Sequence, residues 1–340
     1  MRKLLNTLYV TLPDAYVSKD GLNVVVSVDH EEVYRIPIHN IEQIVTFGYM
    51  GASPGLMKLC ADNCVGLSFL SPSGRFIGRF QGGTHGNVLL RKAQYAWSDD
   101  KDLSLHMSQL FIAGKIQNYR NILRRSVRDN GPNAEVELAA NELQQSKDSV
   151  LKAEGIDSVR GIEGDAASTY FGVLPHLITQ QKSDFPFSGR NRRPPKDAVN
   201  AMLSFVYTML CGDVTAALET VGLDPYVGFM HTLRPGRPSL ALDVMEELRA
   251  YMGDRLVLSL INRRQVGKRD FMSQGDEGVV MTDSAKKTII NAWQSRKREE
   301  IVHPYLNEKV SIGLLPYIQA TLLARFVRGE LDDYPVFLIP

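Results

Sequence analysis

Two neighbouring stretches decide the fold: Arg75-Phe76-Ile77-Gly78-Arg79-Phe80 and Val88-Leu89-Leu90-Arg91-Lys92-Ala93-Gln94-Tyr95-Ala96-Trp97, separated by Gln81-Gly82-Gly83-Thr84-His85-Gly86-Asn87. Before the glycine-rich loop, apolar residues recur with a period near two. After it they recur with a period near 3.6, so a β region gives way to a helical one. Upstream, Leu8–Thr11, Ala15–Ser18, Asn23–Val28, Glu32–Ile36, Gln43–Phe47 and Val65–Leu70 are short runs rich in β-branched and aromatic residues. Lys19-Asp20-Gly21 and Val28-Asp29-His30 supply turn chemistry between them. One helix interrupts the strands at about Ser53 to Asn63, with Ser53 as its cap and Pro54 in its first turn.

Downstream, helical periodicity runs over Val88–Trp97, Leu103–Arg128, Ala134–Ala153, Glu163–Leu174, Lys196–Cys211, Leu240–Met252, Asp283–Glu299 and Ile312–Arg328. The expected class is α+β. A β-rich domain over residues 1–82 and a linker over 83–87 precede a larger all-α domain over 88–340. No repeat at a fixed period and no low-complexity tract is present.

The 340 residues suffice for two domains with real cores. No charge-free stretch of 18 apolar residues occurs, so no membrane span is expected. The start, Met1-Arg2-Lys3-Leu4-Leu5-Asn6-Thr7, lacks the long apolar segment of a leader. Three cysteines, Cys60, Cys64 and Cys211, do not make a disulfide framework and fit a reducing, cytoplasmic setting. Cys60 and Cys64 are four apart on the expected helix, with no second pair to complete a zinc site, and read as buried thiols.

A net charge of +1 does not by itself point to a polyanion. Its distribution does more. From Arg249 to Arg298 there are eleven Lys and Arg against five Asp and Glu; from Gly131 to Asp165 there are three against eight. Such asymmetry suits a nucleic-acid-facing side, and it is also what solvated helix faces produce. The densest basic loop is Phe187-Ser188-Gly189-Arg190-Asn191-Arg192-Arg193-Pro194-Pro195-Lys196, suited to backbone phosphates. The helix at Asn291–Arg298 is a second basic segment.

Candidate chemistry gathers in three places. His231 precedes the loop Thr232-Leu233-Arg234-Pro235-Gly236-Arg237-Pro238, after which Ser239 is placed to cap a helix. On that helix Asp243 and Glu246 are three apart and share a face, and Arg249 lies three further on. Like charges so placed repel, and a bound cation would relieve them, although an isolated pair of this kind also reads as a solvated acidic face. Glu163 stands between two glycines in Arg160-Gly161-Ile162-Glu163-Gly164, where it reads equally as an acidic helix start.

Taken together, Arg160-Gly161-Ile162-Glu163-Gly164, Arg193-Pro194-Pro195-x-Asp197-x-x-Asn200-x-x-Leu203-Ser204-Phe205-x-Tyr207, Gly222-Leu223-Asp224-Pro225-x-x-Gly228-x-x-His231 and Ser239-Leu240-Ala241-Leu242-Asp243-x-x-Glu246 resemble the CRISPR-associated adaptation integrases, the large universal subunit that inserts new spacers. Lys115-x-x-Asn118 and Asn262-Arg263-Arg264-Gln265 also fit. Each piece is weak alone; four in order over about 90 residues are specific. The resemblance implies a helical catalytic domain holding Mn²⁺ or Mg²⁺ through Glu163, His231 and Glu246, the last lying 15 residues past His231. It implies an auxiliary role for Asp243, supporting roles for Asn200, Ser204 and Tyr207, and a β domain that forms a homodimer. The implied partners are double-stranded DNA, both prespacer and repeat, and a small second subunit of the adaptation complex.

The chemistry agrees. Oxygen ligands suit Mg²⁺ or Mn²⁺, and one imidazole favours Mn²⁺. A bound cation lowers the pKa of an attacking hydroxyl: a DNA 3′-OH gives a joined strand, water gives a cut. Arg190, Arg193, Arg234 and Arg237 are expected to meet DNA phosphates. The expected activity is therefore metal-dependent DNA integration with endonuclease capability, in antiviral defence. The rivals are a structure-selective DNA repair nuclease, separable by genomic neighbourhood, and a non-catalytic DNA-binding scaffold, which would not need all three ligands.

Overall fold

Gly21, Asp29 and His30 hold φ at 56°, 50° and 69°. These left-handed conformations reverse the chain tightly between strands. They produce a three-stranded antiparallel sheet of β2 (Tyr16–Asp20), β3 (Asn23–Val28) and β4 (Glu31–Pro37). A second sheet has the order β1-β5-β6-β7, from Thr7–Val10, Gln43–Phe47, Gly66–Leu70 and Phe76–Phe80. In it β1 and β6 run parallel to β5. Flanked on both edges, β5 is buried at every position, as its apolar run requires.

The first helix, α1 (Pro54–Asp62), begins as expected. Ser53 Oγ accepts from Leu56 N at 3.1 Å, and Pro54 occupies the first turn. Its inner face packs with Val17, Val24, Ile44 and Leu67 in one apolar core. Cys60 belongs to that core, and burial pushes its thiol up to about 12. Cys64 corrects the sequence reading: it lies just past the helix at φ 56° and is exposed.

The computed structural model describes residues 7–72, 76–80, 82, 88–191, 194–275 and 278–339. Two compact units result, Met1–His85 and Gly86–Pro340. The expected linker 83–87 lies outside the described residues. The architecture is α+β, strands first and helices after.

The second unit is built on α3 (Lys101–Asn130), a 30-residue helix capped by Asp100, whose side chain accepts from Asp102 N and Leu103 N at 2.9 Å each. Preceded by α2 (Val88–Asp99), it packs against α4 (Ala134–Val150), α5 (Ile156–Leu177) and α7 (Ser239–Leu248). The buried helix α6 (Ala198–Val221) starts at the Asp197 cap, and Gly222 ends it at φ 91°. By length and composition α6 could cross a membrane, but two thirds of its most apolar window is buried inside the unit.

After α7 the chain continues through a π-helical segment, Arg249–Asp254, into α8 (Arg255–Asn262). A hairpin of β8 (Phe271–Ser273) and β9 (Val279–Met281) follows. Then come α9 (Asp283–Arg298), a hairpin of β10 (Glu300–Val302) and β11 (Lys309–Ser311), and α10 (Leu315–Val327). The helical unit thus carries two small hairpins that helical periodicity does not reveal. Ser239 is also not the cap of α7. It is the first helical residue, and its hydroxyl donates to Thr232 O at 3.3 Å.

Candidate metal centre

Three segments bring the candidate residues together. Glu163 lies on α5, which begins seven residues earlier than periodicity suggests, at Ile156. It is therefore a mid-helix residue and not an acidic helix start. Glu246 lies on α7, buried to 2% exposure. His231 comes from the loop between α6 and α7. That loop hugs α7 because residue 228 is glycine. A Cβ there would meet Asp243 Oδ2 at 2.5 Å and the Ser239 carbonyl carbon at 2.7 Å, so only glycine fits.

Asp243, on the same face of α7, gathers the loop. Its Oδ2 accepts from Phe229 N at 2.7 Å and Met230 N at 3.1 Å; its Oδ1 accepts from His231 N at 3.0 Å and faces His231 Nδ1 at 2.6 Å. An acceptor at this position puts the imidazole proton on Nδ1 and leaves the Nε2 lone pair free. Nε2 lies 3.9 Å from Glu246 Oε1. Arg160, one turn before Glu163, secures the loop from the other side: its Nε and Nη2 both donate to Met230 O, the first at 3.1 Å.

Glu163 and Glu246 meet at a third residue. The buried ammonium of Lys115, on α3, donates to Glu163 Oε1 and lies 2.8 Å from Glu246 Oε2. Arg249 Nη1 approaches Glu246 Oε1 at 3.1 Å. Burial raises the Glu246 carboxyl, but the Arg249 and Lys115 cations outweigh it and hold its pKa at about 2. Glu246 is therefore an anion at any physiological pH.

Behind the carboxylates, Tyr207 stacks between cations. The Arg249 guanidinium lies 5.2 Å and the Arg190 guanidinium 5.5 Å from its ring. The Tyr207 hydroxyl donates to Asp254 Oδ1. Gly253 permits this packing, since a Cβ there would meet the Tyr207 ring at 2.8 Å. Arg190 donates to Asn200 Oδ1 at 2.7 Å and to Ser204 Oγ at 3.1 Å. Asn200, Ser204 and Tyr207 thus connect to Glu246 through Arg190 and Arg249.

Arg190 is half-buried, and its guanidinium is engaged by Asn200, Ser204 and the Tyr207 ring. Arg193 lies outside the described residues. Arg234 is exposed and Arg237 half-buried in the loop after His231, where Arg237 N donates to Arg234 O at 3.0 Å across a turn at Gly236.

The donor set, two carboxylates and an imidazole oriented by a third carboxylate, fits Mg²⁺ or Mn²⁺ in kind. Glu246 Oε2 is buried without a hydrogen-bond partner, so its contact with Lys115 is a bare ion pair. The spacing is that of a site closed on an ammonium. Among the described residues, no group of three or more His, Cys, Asp or Glu side chains is close enough to hold a metal ion as it stands.

Residues 8–295 match the protein family described as CRISPR associated protein Cas1. The chain belongs to the Cas1 family. It is 47% identical to the CRISPR-associated endonuclease Cas1 1 of Chlorobaculum tepidum, over 99% of both chains. It is 48% identical to the CRISPR-associated endonuclease Cas1 2 of Rhodospirillum rubrum, over 98% of both. A Cas1 protein from Thermotoga maritima superposes with a TM-score of 0.83 at 21% identity, covering 98% of this chain and 100% of that one. A casposase bound to integration product gives 0.85 at 20% identity, covering 97% and 93%. At these identities the structural likenesses speak for the fold.

Sequence reasoning noted Lys115 only within a short motif and did not give it a place in this Cas1-family site. The available signal was its position in Phe111-Ile112-Ala113-Gly114-Lys115-Ile116, a single cation in an apolar stripe. The role of Arg160 left no comparable trace, because it acts through a backbone oxygen.

Proposed function

We propose that this protein is a metal-dependent DNA integrase and endonuclease that inserts short foreign duplexes into a CRISPR repeat array. One observation carries the reading beyond family membership. Two carboxylates from separate helices converge on one cation beside an imidazole whose Nδ1 is occupied and whose Nε2 is free. Glu163, Glu246 and His231 Nε2 would hold Mg²⁺ or Mn²⁺. Such an ion, when bound, stabilises charge on a scissile phosphate and makes an attacking hydroxyl easier to deprotonate.

The chain's own residues do the rest. Asp243 and Arg160 fix His231, Arg249 keeps Glu246 ionised, and Arg234 and Arg237 flank the His231 loop, where DNA phosphates would pass. Attack by a DNA 3′-OH forms a new phosphodiester and releases the strand beyond the broken P–O bond. Attack by water leaves two ends. The β-rich unit serves to pair two copies, and the assembly takes a small second subunit.

A strand-transfer assay tests this, using a repeat-bearing plasmid, a short duplex with free 3′-OH ends, Mn²⁺ or Mg²⁺, and the small subunit present or omitted. Joined product is expected with the metal, and none with EDTA or with His231→Ala in a folded chain. Full activity of His231→Ala would remove the site assignment; cutting without joining under every condition would favour the repair nuclease.

A further inference from the structure

Lys115 is 2% exposed on an apolar stripe of α3. A buried ammonium persists only where anions compensate its lost hydration. Here the compensation comes from two carboxylates, Glu163 on α5 and Glu246 on α7, both drawn to the same Nζ. We infer that Lys115 is a built-in counter-ion: its ammonium occupies the cation position of the Glu163–His231–Glu246 site and competes with the divalent metal for it. The inference rests on the metal-site reading above and deepens it.

Three observations support the competition. Carboxylate oxygens bind Mg²⁺ at about 2.0–2.1 Å, whereas here Glu246 Oε2 faces the ammonium at 2.8 Å. One position cannot hold both cations. Second, the fixed charges at the two carboxylates already balance: Lys115 and Arg249 face Glu163 and Glu246. A divalent ion added without withdrawal of the ammonium would leave an excess of positive charge in a largely buried site, even with Asp243 counted behind His231. Third, the two cations on Glu246 differ in freedom. Arg249 is planar and stacked on Tyr207. Lys115 is buried too and lies 5.6 Å from the Tyr119 ring, but it meets both carboxylates through a single nitrogen at the end of a four-carbon stem, so it is the one that a change of stem rotamer can withdraw.

A resident counter-ion keeps the metal-free protein folded and weakens metal binding by the cost of its displacement. The test is Mn²⁺ binding to the full chain, followed by the electron paramagnetic resonance of free Mn²⁺, together with Tm in EDTA and at saturating Mn²⁺. Wild type is compared with Lys115→Met, Lys115→Gln and Glu163→Gln. In the two Lys115 variants the Kd for Mn²⁺ is expected to fall at least tenfold. Their Tm in EDTA should drop, and the gap to wild type should close at saturating Mn²⁺ because ligand binding stabilises the folded state. A variant that folds only with Mn²⁺ gives the same support. Unchanged or weaker binding in both Lys115 variants, with wild-type binding lost in Glu163→Gln, overturns the counter-ion and leaves the metal site standing. Lys115 variants that stay unfolded at saturating Mn²⁺ overturn it as well. If neither wild type nor Lys115→Met binds Mn²⁺ in a Glu163-dependent way, the metal site itself falls and takes the inference with it.

Discussion

Glu246 and Glu247 are neighbours on α7, both buried, and the helix turns them about 100° apart. Burial raises both carboxyls, yet one ends at about 2 and the other at about 7. Glu246 looks towards Arg249, Lys115 and His231. Glu247 looks towards neutral donors: the Tyr334 hydroxyl, Phe337 N, and Gln319 Nε2 at 3.0 Å. Hydrogen bonds from neutral groups offset only part of the desolvation cost; nearby cations reverse it. The front of α7 is thus kept ionised by the cations around it. Its back is a brace for the C-terminal segment, completed by Asn118, which donates to Glu247 O at 2.7 Å and Phe337 O at 2.8 Å and accepts from Ile339 N at 2.8 Å.

The hardest way to break this contrast is Glu246→Gln. Removing one anionic ligand should lower strand transfer and cutting with Mn²⁺ on the order of 10³-fold, the equivalent of several kcal/mol of transition-state charge stabilisation. The same exchange at Glu247 should leave activity within about tenfold. If Glu247→Gln abolishes activity and Glu246→Gln does not, the two faces have been assigned the wrong way round.

Glu247→Gln has its own readout in folding. The folded pKa, about 7, lies above the model-peptide value of 4.5, so the native state holds the proton more tightly. The contribution of Glu247 is greatest below pH 4.5 and is lost as pH rises through 7. The gap amounts to about 3 kcal/mol. Urea unfolding in EDTA at pH 5, 6, 7 and 8 should show wild type losing stability relative to Glu247→Gln across that window. Parallel curves would mean that Glu247 is ionised throughout.

Much of the fold was legible because local chemistry and tertiary demand agree. Asn23–Val28 and Gln43–Phe47 are strands with the limits expected, and Ser53-Pro54 starts α1. Elsewhere packing overrode the local pattern. Helix α5 starts just after Gly155, a weak cap that periodicity passes over, and α6 runs ten residues beyond Cys211, staying buried as far as Leu218. In the site, Glu163, His231 and Glu246 were grouped by the resemblance that the stretches around them carry, and the fold brings the three side chains near one another. Lys115 was not grouped with them, because a lysine in an apolar stripe usually extends its stem to water. Arg190 misled in the opposite sense: a basic loop suggests phosphates, while this guanidinium turns inward to Asn200, Ser204 and Tyr207. Composition cannot tell an inward arginine from an outward one.

The smallest expected effect separates a ligand from the residue that orients one. Asp243 is fully buried and engaged on both oxygens, by Phe229 N and Met230 N on one and by His231 on the other. An amide keeps one acceptor and sets its NH₂ against N–H donors whichever way it is turned. With the oxygen towards His231, the tautomer survives and two loop N–H groups lose their partner; turned over, His231 is released. Either way the loss falls on orientation, and Asp243→Asn should cost about 10- to 100-fold in Mn²⁺ affinity or strand transfer. A buried N–H left unpaired costs about 1–3 kcal/mol, a Tm lower by several degrees in a unit of this size. Mn²⁺ should restore part of that Tm in Asp243→Asn and much less of it in Glu246→Gln. Were Asp243→Asn the more damaging of the two for strand transfer, Asp243 would be the third ligand and Glu246 the support, and the front of α7 would have to be redrawn one turn towards its start.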